Sequence, residues 1–240
     1  MEKKERMLFE VWNHLIFPGL IIRSILDIFA RVWISFGKIL GYTYTKLFGL
    51  VGTSWYDHRF DYLRGMDNFH WLERGFFALE RIKTRDDVLD LGCGDGIFSG
   101  VFYSSKAKRV LAIDIDQKAI AHAQKYYGRK NVRFIKADIK NMQLPSNKFD
   151  TIFMFAVLEH FSPEDGIKVL KNIKKSLKKN GIFFGSTPIF FHTKFKANFE
   201  HKNEFGSVQE LEEFLKTVFK NVRVFQSHWP QRNECYFECV

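Results

Sequence analysis

The sequence predicts an α/β fold in which a mostly parallel, Rossmann-like sheet carries helices on both faces. From Asp86 onward, apolar runs of strand length alternate with segments of helical periodicity, which is the pattern of a parallel sheet. The first run ends in a turn that contains Gly92, Gly94 and Gly96. The chain has 240 residues, 46% hydrophobic and 17% aromatic, so it can bury a sizeable core and is not a disordered chain.

The elements follow one another in a regular order. Strands are predicted at DVLDLG, RVLAIDID, VRFIKADI, FDTIFMFAVLEH and GIFFGSTP, and a final antiparallel pair at VRVFQS and CYFEC. Helices are predicted at GIFSGVFYSSK, QKAIAHAQKYYG, residues 167–177 and SVQELEEFLKTVF. Ser207 is the expected N-cap of the last helix, and Glu210 completes a capping box. Ligands of such sheets bind at the carboxyl ends of the strands.

The N-terminal part of the chain differs from the rest in composition. We predict an amphipathic helical and lid segment over residues 1–75 and the sheet-containing domain over 76–240. Residues 8–52 are rich in Leu, Ile, Phe and Trp but lack the roughly 20 uninterrupted apolar residues of a membrane span. One helical face carries Ile22, Ile25, Leu26, Phe29, Val32, Trp33 and Phe36, and another carries Arg23, Asp27 and Arg31. Such helices pack on the domain or a partner, or lie peripherally in a membrane interface.

Charge and cysteine content narrow the function classes. The net charge is +10, but the lysines are dispersed along the chain, as on a solvated helix face. The three cysteines Cys93, Cys235 and Cys239 form neither a disulfide framework nor a zinc-ligand pattern. We therefore expect a cytoplasmic protein with no resident metal.

The glycine turn carries carboxylates where a phosphate-binding turn would not. Asp90 and Asp95 would repel a pyrophosphate, and Ile97 stands where the dinucleotide fingerprint has its third glycine. A ligand with an ammonium and a sulfonium and no phosphate suits this turn. S-adenosylmethionine is such a ligand, and its methionine part needs a closely approaching backbone, which glycine provides.

The next two strands end in acidic residues that complete this ligand site. Asp114 ends the second strand, eighteen residues after Gly96, and can accept hydrogen bonds from both ribose hydroxyls. Ile115 follows and can lie against an adenine face. Asp138 ends the third strand, where it can accept a proton from the adenine amino group, with Ile139 beside it.

These segments resemble a known family. VLDLGCGDG, AIDID, KADI and FDTIFMFAVLEHF are similar to the first four motifs of the class I S-adenosylmethionine-dependent methyltransferases of the small-molecule type, and the resemblance covers roughly Leu79 to Val240. It implies a seven-stranded sheet with an antiparallel last strand. By position, it implies that Asp90, Gly92 and Gly94 hold the methionine part, Asp114 the ribose, and Asp138 and Ile139 the adenine, and that Phe155 begins the segment under the sulfonium. Cys93, within the turn, and Ile115 complete the predicted cofactor set.

The methyl acceptor leaves a weaker signature. An oxygen acceptor needs a base as well as positioning, and the candidates are His160 and Glu159 after the fourth strand and His201 in the loop after the fifth. The alternative to a catalytic role is that the Glu159–His160 pair is purely structural. Tyr56 and Arg59, before the first strand, and His192 are expected to cover cofactor or acceptor. The function predicted is O-methylation of a small, lipid-linked or saccharide-linked molecule.

Two other functions compete with this one. The charge of +10 favours an RNA methyltransferase, and RNA 3′-end 2′-O-methyltransferases carry a similar Glu–His pair with an acid three residues earlier and a later His, which bind a metal. Here Ala156 occupies the earlier position, so that metal set is incomplete and the RNA alternative is weaker. The third class is a non-catalytic protein of this fold, but a degenerate copy should lose its ligand contacts, and Asp90, Gly92, Gly94 and Asp114 are intact.

Overall fold

The computed structural model describes residues 2–50, 57–59, 69–190, 201–229 and 232–240. These residues fall into two compact units, one formed by the N-terminal helix and one by residues 57–59 together with everything from residue 69 onward.

The first unit is one continuous helix, α1 (Glu2–Leu50), within the amphipathic helical segment predicted over residues 1–75. Its predicted apolar face is exposed, because the seven apolar side chains of that face, from Ile22 to Phe36, are between 48% and 75% exposed. On the other face, Arg31 and Asp27 form an i,i+4 ion pair of 2.8 Å. Among the described helices, none is both long enough and apolar enough to cross a bilayer.

The second unit is built on a seven-stranded sheet, as predicted. Its strands are β1 (Asp87–Leu91), β2 (Arg109–Asp114), β3 (Val132–Lys136), β4 (Phe149–Phe155), β5 (Leu177–Pro188), β6 (Val222–Trp229) and β7 (Arg232–Cys239). The strand order is β3-β2-β1-β4-β5-β7-β6. Strands β1 to β5 pair in parallel, and β7 is antiparallel to both β5 and β6. The carboxyl ends of β1, β2 and β4 therefore meet at one edge.

The helices of this unit cover both faces of the sheet. They are α2 (Phe69–Arg81), α3 (Gln117–Tyr127), α4 (Pro163–Ser176) and α5 (Val208–Lys216). One buried apolar cluster joins the sheet to α4 and α5 through Val169, Ile173 and Leu211. A second cluster, which includes Ala78 and Ile82, joins the opposite face to α2. Burial of these stripes is the main source of stability for such layers.

The segment GIFSGVFYSSK is not the α-helix that was predicted. It forms a π-helical turn, Phe98–Phe102, followed by a 3₁₀ turn, Tyr103–Ser105. The backbone N–H of Tyr103 donates to the carbonyl oxygen of Phe98, and this i→i+5 bond puts both aromatic rings into the same buried cluster. Packing of large aromatic side chains has overridden the local helix preference.

The helix caps follow the sequence closely. Asp116 caps α3 by accepting from the N–H groups of Lys118 and Ala119. At α5, Ser207 accepts from the N–H of Glu210 as predicted, but the Glu210 carboxylate reaches the N–H of Gly206 rather than that of Ser207. In a standard capping box this carboxylate would accept the N–H of the N-cap residue, so here its hydrogen bond is shifted by one residue toward the N-terminus.

Candidate cofactor and acceptor sites

The turn after β1 requires its glycines. Gly92, Gly94 and Gly96 all have positive φ, at 79°, 52° and 85°. A Cβ at Gly92 would stand 2.3 Å from Val157, and one at Gly96 would stand 2.5 Å from the Cβ of Ala123. These two glycines therefore let the turn pack against the segment after β4 and against α3.

Gly94, unlike Gly92 and Gly96, does not pack against a neighbouring segment. No atom of the described residues lies within 4 Å of the place where its Cβ would be. An open backbone at this position is what the predicted binding of the methionine part of S-adenosylmethionine requires, so the turn is compatible with that ligand. The neighbouring Cys93 is buried, and its N–H donates to the carbonyl oxygen of Ile113, which fixes the turn to the end of β2.

The Asp114 carboxylate, at the end of β2, also holds this turn in place through hydrogen bonds. One carboxylate oxygen accepts the N–H of Gly94 at 2.8 Å, and the other accepts the N–H of Asp116 at 2.9 Å. Burial raises the pKa of Asp114, and these backbone hydrogen bonds oppose the rise. Each oxygen has a second lone pair, so hydroxyl donors could still bind here.

Asp90 is a buried carboxylate at the end of β1, directly before the turn. Its side chain accepts a 2.5 Å hydrogen bond from the hydroxyl of Ser99. Burial, with a smaller contribution from the nearby carboxylates of Asp114 and Asp95, raises the pKa of Asp90 to about 7, although the hydrogen bond from Ser99 opposes the rise. A cationic ligand beside the turn would relieve this repulsion.

Residues 57–59 lie over the turn and against α3. The N–H of His58 donates to the Asp95 carboxylate at 2.8 Å. Arg59 binds Asp57 through its Nε and Nη2 atoms, and its guanidinium lies 4.1 Å from the centre of the Tyr126 ring. The predicted lid residue Arg59 is thus placed beside the cofactor turn.

The nucleoside residues lie along the ends of β2 and β3. Ile115 is 63% exposed, directly after Asp114. Asp138 accepts from the N–H of Lys140 and from the side-chain amide of Asn141, so it also shapes the following turn. Ile139 is buried.

Beyond β4 the chain turns sharply toward the acceptor residues. Phe155 is buried at the strand end, and Ala156 adopts a φ of 52°, in the left-handed region. A 3₁₀ turn, Leu158–His160, follows and presents Glu159 and His160. Burial raises the pKa of Glu159 to about 7, partly offset by hydrogen bonding, including that from Thr187.

His201 joins these two residues from a distant part of the chain. Its ring lies 5.1 Å from that of His160, centroid to centroid. The N–H groups of Lys202 and Asn203 donate to the carbonyl oxygen of Glu159 and hold the two segments together. The three predicted catalytic residues therefore form one cluster, which we call the Glu159–His160–His201 cluster.

A buried ion pair lies near Phe155, at the end of β4. Arg74 of α2 binds the Glu234 carboxylate of β7 at 2.6 Å, and both side chains are almost fully buried. Ser186 also donates to Glu234. The Arg74 guanidinium lies 5.8 Å from the centre of the Phe155 ring, so the pair borders the residue expected under the sulfonium. A buried pair of this kind fixes geometry more than it adds stability.

Comparison with known proteins agrees with this arrangement. Residues 88–181 match the family model described as a methyltransferase domain. A probable S-adenosylmethionine-dependent methyltransferase of Mycobacterium tuberculosis is 30% identical over 122 residues, which are 50% of this chain and 43% of that protein. The malonyl-[acyl-carrier protein] O-methyltransferase of Acetivibrio thermocellus is 30% identical over 134 residues, 55% of this chain and 46% of that protein. The chain spans less than half the length of these relatives.

The fold agrees as well. The solved complex of DhpI with SAM and HEP has a TM-score of 0.59 at 19% identity, covering 73% of this chain and 88% of that chain. Residues 88–181 therefore carry a methyltransferase domain, which resembles the class I S-adenosylmethionine-dependent methyltransferases. The cofactor predicted from the turn after β1 is the cofactor of this class.

The methyltransferase domain brings most of the predicted residues together. The cofactor set lines the ends of β1, β2, β3 and β4, and the catalytic set forms the cluster beyond β4 and β5. Tyr56 and His192 lie outside the described residues. The roles assigned to individual residues stay predictions.

Sequence reasoning missed two sets of contacts in this region. Asp95 holds residues 57–59, and Arg74 and Glu234 form the buried pair near Phe155. Neither set has a local signal, because the partners are 37 to 160 residues apart. A charged residue within an apolar pattern, such as Glu234 before CYFEC, was the only available indication.

Proposed function

We propose that the chain transfers a methyl group from S-adenosylmethionine to an oxygen atom of a small, lipid-linked or saccharide-linked acceptor. The observation that carries the proposal is the position of the Glu159–His160–His201 cluster: Glu159 and His160 directly follow β4, which pairs with β1, the strand that ends at the cofactor turn. The Acetivibrio relative, which is named as an O-methyltransferase, supports an oxygen acceptor.

The cofactor would bind along the carboxyl edge of the sheet. Its ammonium would lie near Asp90 and the open backbone of Gly92, Cys93 and Gly94, where buried carboxylates favour a cation. The ribose hydroxyls would donate to the remaining lone pairs of Asp114.

The adenine and the methyl group would occupy the neighbouring strand ends. The adenine would cover the exposed side chain of Ile115 and approach Ile139 and Asp138. Phe155 would then lie beneath the sulfonium, which supplies the methyl group.

Methyl transfer to oxygen is an in-line displacement. The carbon–oxygen bond forms as the carbon–sulfur bond breaks, and the acceptor proton must leave. His160 is the least buried member of its cluster, and we place the acceptor oxygen against it. Arg59, with Tyr56 and His192, would close the site from solvent.

A substitution at His160 tests the acceptor assignment. His160→Ala should lower the rate of methyl transfer by roughly 10²–10⁴-fold, while the dissociation constant for S-adenosylmethionine stays nearly unchanged, because no cofactor contact is lost. His228→Ala is the matched control, since His228 lies on β6 and pairs with Asn233. Full turnover of His160→Ala would assign the Glu–His pair a structural role.

The second proposal is that α1 holds the protein on an anionic membrane surface in a reducing compartment. Its apolar face is exposed, and the described part of its polar face carries Arg23, Arg31 and Lys38 against the single carboxylate Asp27. Basic amphipathic helices bind anionic interfaces through apolar burial and charge. The three cysteines are free and buried, which suits reducing surroundings.

Vesicle sedimentation tests this location. Full-length protein should sediment with phosphatidylserine-containing vesicles more than with neutral phosphatidylcholine vesicles. Phe29→Asp with Trp33→Asp should abolish sedimentation, whereas Phe76→Asp, which changes an exposed aromatic residue of α2, should retain it. A wild-type chain that stays in the supernatant with both vesicles would remove the proposal.

A further inference from the structure

Three potential metal-ligand atoms converge in the Glu159–His160–His201 cluster. Each residue places one such atom within 4.8 Å of the other two. The two imidazole rings are nearly perpendicular, at 82°. Two imidazoles and one carboxylate form a ligand set that divalent transition metals bind, with coordination positions left open for other oxygen atoms.

Each buried ligand has a second group behind it. The Nδ1 atom of His201 lies 3.0 Å from the Glu204 carboxylate, and the Glu159 carboxylate accepts a 3.1 Å hydrogen bond from the Thr187 hydroxyl. Carboxylate and hydroxyl partners of this kind orient the ligands of protein metal sites. The contact between His201 and Glu204 is independent of the observation that the three ligand atoms lie close together.

The backbone also fixes the spacing of the ligands. The segment that carries His201 is tied to Glu159 by two N–H donors. It is tied to the end of β5 by hydrogen bonding between Phe190 and Phe205. An ion about 2.1 Å from each donor needs donor separations of about 3.0–3.4 Å. Rotation of His160, the most exposed of the three side chains, can close that difference.

We propose that Glu159, His160 and His201 bind one divalent transition-metal ion, of the Zn²⁺ or Mn²⁺ type, and that this ion holds the hydroxyl oxygen of the methyl acceptor. The role of the ion rests on the proposed function, whereas its binding does not. A coordinated hydroxyl has a lowered pKa. Its proton then passes to solvent, and the oxygen takes the methyl group as the carbon–sulfur bond breaks.

A second group of possible ligands is less suited to a metal. Asp57, Asp95 and His122 also converge, but the Asp57 carboxylate already binds Arg59, and the Asp95 carboxylate binds residue 58. His122 therefore serves as a control position. Ala156, which removes one acid from the metal set of the RNA enzymes, leaves all three ligands of the proposed metal site in place.

Calorimetric titration of the untagged, EDTA-treated full-length protein with ZnCl₂ and with MnCl₂ tests the site without an acceptor. We expect one ion per chain for at least one of the two salts. His160→Ala and His201→Ala should each weaken binding by at least 100-fold, and Glu204→Gln by roughly 10–100-fold, as for other groups behind metal ligands. His122→Ala should bind the ion like the wild type.

The outcomes separate this inference from the proposed function. S-adenosylmethionine binding and the thermal melting curve report whether each variant is folded. The metal site is overturned if the folded wild-type protein binds neither ion, or if folded His160→Ala and His201→Ala retain the wild-type affinity. Methyl transfer at full rate in EDTA would overturn the role of the ion and leave the methyltransferase proposal standing. Failure to bind S-adenosylmethionine would overturn the methyltransferase proposal alone.

Discussion

At the scale of the residue, the carboxylates predicted to bind the cofactor also stabilise the fold through internal hydrogen bonds. Asp114 holds the N–H groups of Gly94 and Asp116, and Asp90 accepts from Ser99 in a buried position. Sequence reasoning predicted Asp114 from its place at a strand end, and Asp90 from its place beside the glycine turn and from the family resemblance. It could not predict their hydrogen bonds, because those depend on how the turn closes in three dimensions.

Asp114→Ala should weaken S-adenosylmethionine binding by about 1–3 kcal/mol, roughly 5- to 150-fold, because the ribose hydroxyls lose their acceptor. Titration calorimetry measures the change. Asp116→Ala is the control: it removes the α3 cap and about 1 kcal/mol of stability, but it should leave the affinity intact. Equal losses of affinity in the two variants would show that Asp114 acts only through the fold.

Asp90 should make the ligand-free protein less stable as the pH rises. Its pKa is raised to about 7 in the folded state, above the ordinary value of 3.8, so the folded state holds a proton that the unfolded state has released. The stability from this group is full below about pH 4 and is lost as the pH rises through about 7.

The corresponding variant is Asp90→Asn, which stays neutral and can still accept from Ser99. Urea unfolding at pH 5 and pH 8 should show a smaller loss of stability with pH in Asp90→Asn than in the wild type. Asp27→Asn, on the exposed surface of α1, should behave like the wild type. An identical pH dependence in wild type and Asp90→Asn would contradict the raised pKa.

At the scale of the element, the strands and the cap of the last helix follow from the sequence. Alternating apolar runs predicted the seven strands, and Ser207 was predicted as the N-cap of α5. The π-helical turn at Phe98–Phe102 was missed, because its cause is the packing of Phe98 and Tyr103 against the sheet rather than any local propensity. The attachment of α2 to the β6–β7 hairpin was also beyond sequence reasoning.

That attachment depends on one carboxylate. Glu73 of α2 accepts from Ser227 Oγ at 2.6 Å, Trp229 Nε1 at 3.0 Å and Tyr236 Oη at 2.8 Å. Glu73→Ala should destabilise the domain by about 1–3 kcal/mol, because the buried Tyr236 hydroxyl and two half-buried donors lose their acceptor. Urea unfolding measures this, with Glu80→Ala, at an exposed position of the same helix, as the neutral control. No difference between the two variants would mean that the hairpin is held by apolar contacts alone.

At the scale of the whole molecule, a methyltransferase domain and a long amphipathic helix are combined in one chain. Composition and periodicity predicted both parts, since a helical stripe and alternating strands are sequence-local patterns. The Glu159–His160–His201 cluster is different, because His160 and His201 are 41 residues apart in sequence and are brought together by tertiary contacts such as the backbone hydrogen bonds to Glu159. The sequence indicated which three residues are candidates for catalysis, but not that their side chains lie close together.

Titration calorimetry of the full-length protein with S-adenosylmethionine, and separately with NAD, tests the central claim most directly. We expect one equivalent of S-adenosylmethionine to bind and NAD to give no binding heat, because a pyrophosphate would face the buried carboxylates of Asp90 and Asp95 beside the glycine turn. Tight binding of NAD together with no binding of S-adenosylmethionine would contradict the account.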